Sequence, residues 1–60
     1  MKVGEIYKWK EASYYFELEE YLGNDMWGVT MYEHHPNDCP DIYDARTIKG
    51  EEIFKHCIKV

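Results

Sequence analysis

Residues Tyr14–Glu33, YYFELEEYLGNDMWGVTMYE, decide the fold. From Tyr14 to Leu22 side chains alternate with a period of two. Tyr14, Phe16, Leu18 and Leu22 fall on one side, and Tyr15, Glu17, Glu19 and Tyr21 on the other. That period belongs to a half-buried strand. Glu and Leu favour helix, but the Tyr-Tyr-Phe start and the alternation favour sheet. Glu20 interrupts the apolar side, as expected near a strand end or rim. Gly23-Asn24-Asp25 tolerate positive φ, so a hairpin turn is expected there. Met26–Glu33 then returns as a second strand, with Trp27, Val29 and Met31 on one face and Gly28, Thr30 and Tyr32 on the other.

Working outward, Val3–Lys10 alternates Lys and Glu with Ile6, Tyr7 and Trp9 and reads as a first strand, which Gly4 lets begin with a bend. His34–Pro40, with two prolines and an Asn-Asp pair, reads as a loop. Asp41–Ile48 alternates again and reads as a fourth strand. In Lys49–His56 two acids precede a Lys and a His, the order a helix dipole favours, so one or two helical turns are expected. Cys57–Val60 reads as a terminal strand. The expected core is Ile6, Phe16, Leu18, Leu22, Trp27, Val29, Met31, Ile53, Phe54 and Ile58.

Four strands, a short helical turn and a brief fifth strand make a mainly β domain. Their order along most of the chain resembles an SH3-like antiparallel barrel. The resemblance is one of architecture: no ALYDY-type start and no Trp-centred peptide groove stands in the expected place, so it implies nothing about proline-rich ligands. An α+β arrangement, an antiparallel sheet with one short helix on it, is the near alternative. In either case the first and last strands should lie together.

Sixty residues bound the chain to one small domain with a small core. Ten aromatic residues, each burying roughly 150–250 Å² when covered, offset that shortage. The opening MKVGEIYKWK has no apolar stretch of signal-peptide kind, and no run approaches a membrane span, so a cytoplasmic protein without a membrane partner is expected. In that compartment Cys39 and Cys57 should be free thiols.

The formal charge is −5, but its placement says more. All nine acids between Glu11 and Ala45 stand without a single Lys or Arg among them; the seven basic residues lie outside that segment with three acids. Folding should therefore separate an acidic middle from basic ends and steer the molecule toward a basic partner. A purely solubilising role for the acids is the competing account. The same charge argues against nucleic acid as the partner, because phosphate binding needs clustered cations.

Four site hypotheses follow. The outward set Tyr15, Glu17, Glu19, Tyr21, Thr30 and Tyr32 forms a candidate partner-binding surface, since tyrosine is enriched at interfaces. Its competitor is ordinary cross-strand tyrosine pairing. His35, Cys39, His56 and Cys57 could on paper supply four zinc ligands; a polar loop plus a half-buried cysteine accounts for them as well. A cysteine beside a histidine is not enough for nucleophilic catalysis, which needs an oriented base and an oxyanion site; no catalytic residues and no cofactor are assigned. Lys8, Lys10, Arg46 and Lys49 are the candidates for nucleic-acid binding by a basic end, with exposed aromatics as stacking groups.

The expected function is thus a non-enzymatic protein-binding module or small inhibitor. It would present an acidic, tyrosine-rich sheet face to a basic partner surface, as small effectors of phages and mobile elements do. A nucleic-acid-binding barrel and a zinc-stabilised module are the alternatives. An edge strand in so small a sheet also leaves a homodimer open beside a monomer.

Overall fold

The computed structural model describes all 60 residues. Five strands and one helix follow in order: β1 (Ile6–Trp9), β2 (Tyr15–Gly23), β3 (Met26–Tyr32), β4 (Ile42–Lys49), α1 (Gly50–His56) and β5 (Cys57–Lys59). All pairings are antiparallel, in one sheet of order β4-β3-β2-β1-β5. The protein is mainly β with a short helix. The expected barrel closure is absent from the ladders: β4 and β5 remain the two edges, and α1 joins them. No helix is long and apolar enough to cross a membrane.

The β2–β3 hairpin turns where its residues demand it. Asn24 and Asp25 have φ of 52° and 62°, between the paired residues Gly23 and Met26. Positive φ at both central residues is what a two-residue type I′ turn requires. At the other end of the chain, β1 and β5 pair through Tyr7–Lys59, Lys8–Ile58 and Trp9–Cys57, so the first and last strands are neighbours.

Phe16, Leu18 and Ile53 are fully buried, with Tyr7, Trp27, Val29, Met31 and Cys57 around them. The Phe16 ring stacks on Tyr7 at 5.8 Å and meets Trp9 at 5.6 Å, tilted by 47°. One helical side chain, Ile53, closes the core from α1.

Four expected core residues are not there, three for a register reason and one because of its place on the helix. Tyr7, not Ile6, aligns with Phe16; Ile6 aligns with Glu17 on the opposite face and is only half-buried. Ile58 aligns with Lys8 on that same face and is exposed, while Cys57 takes the inward position opposite Trp9. Phe54 follows Ile53 on the helix and is therefore rotated away from the core; it is 82% exposed. Leu22 is exposed because β2 carries two irregularities, one between Leu18 and Glu20 and one between Tyr21 and Gly23. Each inserts an unpaired residue, Glu19 and then Leu22, and shifts the alternation by one.

Candidate functional site

The face of the sheet opposite the core is built from β2, β3 and β4. The ladder places Tyr15 beside Tyr32, Glu17 beside Thr30, and Glu20 beside Gly28; across β3, Thr30 lies beside Ala45 and Gly28 beside Thr47. Because residues directly opposite share a face, these eight positions form one surface. The bulge at Glu19 keeps its carboxylate on this surface, where Thr30 Oγ1 donates to Glu19 Oε1 at 2.9 Å. Gly28 leaves a dent that the Glu20 side chain crosses, its Cγ 3.2 Å from where a Cβ would stand. A shallow trough of about 340 Å³ runs between Glu19, Glu20, Thr30, Ala45 and Thr47.

The structure brings together five of the six residues singled out in the sequence and removes one. Tyr15, Glu17, Glu19, Thr30 and Tyr32 share the surface. Tyr21 does not, because the bulge carries it to the core face, where its ring lies 4.9 Å from that of Trp27. The phenols contribute less than the alternation implied. Tyr32 is 8% exposed, and burial, followed by the charges of Glu17 and Glu19, pushes its hydroxyl pKa above the ordinary value. Tyr15 is half-buried, with the His35 ring edge-on at 5.5 Å. The accessible chemistry of this surface is carboxylate and threonine.

Glu20, Ala45 and Thr47 were not among the expected site residues. Ala45 and Thr47 follow from the β3–β4 register, whereas Glu20 depends on the Glu19 bulge, for which the sequence carries only one hint: Gly28 in the facing strand, a position where backbone or a neighbouring side chain comes close.

Charge is arranged more finely than a split between middle and ends. The ion pairs are Arg46–Asp44 at 2.9 Å, Lys55–Glu51 at 2.8 Å and Lys59–Glu5 at 3.0 Å, and His56 Nε2 lies 3.6 Å from Glu52 Oε2. None involves Glu17, Glu19 or Glu20, although Arg46 lines the trough beside Glu19 and Glu20. Lys8 lies at the β1 side of the same face, beside Tyr15. The basic residues themselves do not gather into one group. Lys8 and Lys10 belong to β1 and the turn after it, whereas Arg46 and Lys49 are on β4, with β2 and β3 between them in the sheet.

The four candidate zinc ligands are not gathered either. His35 Nδ1 accepts the Asn37 N–H at 3.1 Å, and the Cys39 thiol donates to Asp41 Oδ2 at 3.6 Å, both within the β3–β4 loop. His56 ends α1, and Cys57 faces the core beside Trp9. No three His, Cys, Asp or Glu side chains converge as a metal site would need. Both cysteines are free thiols, Cys39 half-buried and Cys57 buried. Burial, with a further contribution from Glu52, pushes the Cys57 thiol up to about 11.

No family model, no curated protein and no solved structure matches the chain.

Proposed function

We propose that the chain is a non-enzymatic protein-binding module, of small-inhibitor type, whose acidic sheet face docks on a basic partner surface. The observation that carries this reading is the set Glu17, Glu19 and Glu20: three carboxylates close together on a β-sheet face, none in an ion pair, while Glu5, Asp44 and Glu51 of the same molecule are each paired with a Lys or Arg. Like charges held together repel, and a partner's Lys or Arg relieves that repulsion on binding. The Thr30 hydroxyl orients one of the three, and the open trough beside them leaves room for a long cationic side chain.

Spaced carboxylates on a rigid sheet also imitate a row of phosphates. A partner that itself binds nucleic acid is therefore a natural target, as it is for effectors of phages and mobile elements. We read the sheet as an open variant of an SH3-like barrel in which α1 stands where a closing ladder would be; the sheet order, with β1 paired to β5, supports that reading.

A short lysine-rich peptide serves as a probe. Amide chemical shifts should move at Glu17, Glu19, Thr30 and Thr47, and the affinity should fall steeply with salt. The variant with Glu17, Glu19 and Glu20 all changed to Gln should lose the effect and keep its fold. Shifts spread evenly over the molecule, or undiminished in that variant, would refute the reading.

A further inference from the structure

The face opposite the carboxylates holds a second site of different chemistry. A cleft of about 380 Å³ opens between β1 and β4, lined by Trp9, Tyr14, Met31, Tyr43, Arg46 and Ile48. Small-ligand sites are mostly apolar, start near 300 Å³ and carry a few placed polar groups. Here Tyr14 and Tyr43 form one wall, their rings stacked at 5.2 Å and 26°. Tyr43 reaches that position because it is the unpaired residue where the β3–β4 register shifts, between the pairs Met31–Asp44 and Tyr32–Ile42. Bulges re-aim side chains in this way. Trp9 is the facing wall, and buried Met31 contributes to the lining.

The one charged group lining the cleft is Arg46. Its Nε donates to Asp44 Oδ2 at 2.9 Å, and the other oxygen of Asp44 accepts the Ala45 N–H at 2.8 Å. The carboxylate is thereby fixed to the backbone and in turn fixes the guanidinium. Neither terminal nitrogen of Arg46 donates to any protein acceptor, so the forked pair of donors is free. A positioned, unoccupied guanidinium fork matches a planar two-oxygen anion. It also repels a cation, which aromatic walls alone would attract.

We propose that this cleft binds a small monocarboxylate with an aromatic or branched apolar body, the carboxylate on Arg46 and the body between Trp9 and the Tyr14–Tyr43 wall. A single negative charge is favoured over two, because Asp44 sits behind the fork and the charge of Glu33 reaches Tyr14. The proposal does not rest on the reading of the acidic face, although Arg46 and Thr47 at the sheet edge line both the cleft and the trough.

The test titrates 3-phenylpropionate into isotopically labelled protein and follows the Trp9 indole N–H, the Tyr43 amide and the Arg46 Nε–H. Saturable shifts at these three groups, with a dissociation constant of roughly 1–10 mM, are expected for a ligand this small. The neutral 3-phenylpropionamide and the dianion phenyl phosphate should each bind about tenfold more weakly, as should Arg46→Gln, while the Gln variant of the acidic face should bind as the wild type does. Amide and acid binding equally to the wild-type protein would overturn the proposal without recourse to any variant. So would an absence of saturable shifts, tighter binding of the phosphate, or undiminished affinity in a folded Arg46→Gln protein.

Discussion

Asp25 holds the start of α1 from the tip of the β2–β3 hairpin: its carbonyl accepts the Gly50 N–H at 2.7 Å and its carboxylate accepts the Glu51 N–H at 3.0 Å. The residue that precedes the helix, Lys49, offers no side-chain cap. Asp25 supplies one from 26 residues away, and the positive φ that the turn imposes on it sets the angle. Helix N-termini leave backbone N–H groups unsatisfied, and a carboxylate there meets both the donors and the dipole.

Removing that cap gives the first prediction. Asp25→Ala should destabilise the protein by about 1 kcal/mol, or about 4–8 °C in melting temperature for a domain this small. Gly50→Ala should cost about 1–3 kcal/mol, because a Cβ at Gly50 collides with the Asp25 carboxylate. The double variant should be less damaged than the sum of the two, since Asp25→Ala removes what the new methyl strikes. Strict additivity in thermal melts would show that the two residues do not communicate.

The second prediction separates two phenylalanines. Phe16 is fully buried under Tyr7 and Trp9, so Phe16→Ala should cost about 3–5 kcal/mol, enough to unfold so small a domain at room temperature. Phe54→Ala, at an exposed helix position, should change stability by no more than about 0.5 kcal/mol. Circular dichroism of the two variants at 25 °C decides the matter.

Acid sensitivity provides a third. The Lys59 ammonium, the Lys2 backbone N–H and the Tyr7 hydroxyl all donate to the Glu5 carboxylate and bring its pKa from 4.5 to about 2, against a smaller opposing effect of burial. The folded state therefore binds fewer protons than the unfolded chain between those values. The resulting stability is complete above pH 4.5, declines as pH falls, and is gone below about 2. Urea midpoints of wild type and Glu5→Gln should differ at neutral pH and converge toward pH 2. Parallel curves over that range would show that Glu5 is not the responsible group.

Thiol reactivity offers a fourth. With its pKa near 11 and 7% of its surface exposed, Cys57 should resist alkylation at pH 8, whereas half-buried Cys39 in the β3–β4 loop should react first. Mass spectrometry should show one iodoacetamide adduct on native protein and two after denaturation. A single adduct that persists in Cys39→Ser would contradict the placement of Cys57.

The legible part of this fold is the part written in nearest neighbours. Period-two alternation marks β2 and β3, Gly23-Asn24-Asp25 marks their turn, and the acid-then-base order marks α1, whose Glu51–Lys55 and Glu52–His56 pairs realise it. What alternation cannot supply is the phase. It does not say whether Ile6 or Tyr7 faces inward, and an unpaired Glu19 or Leu22 shifts every residue after it by one. For that reason alternation alone puts Tyr21 on the face of Glu17 and Glu19, and Glu20 on the other, the reverse of their places in the ladder. The cap from Asp25 to α1 and the choice between open sheet and barrel depend on contacts distant in the chain, and no local pattern encodes them.

The pairing of β1 with β5 has a practical corollary. Val60 donates its N–H to the Ile6 carbonyl at 2.9 Å, and Lys2 folds back onto Glu5, so the two chain ends emerge side by side. A short linker could join them, and new ends could be cut in the polar 36–40 stretch, yielding a permuted protein with the same sheet. The molecule is likewise suited to be spliced as a cassette into a surface loop of a carrier, entering and leaving at one point.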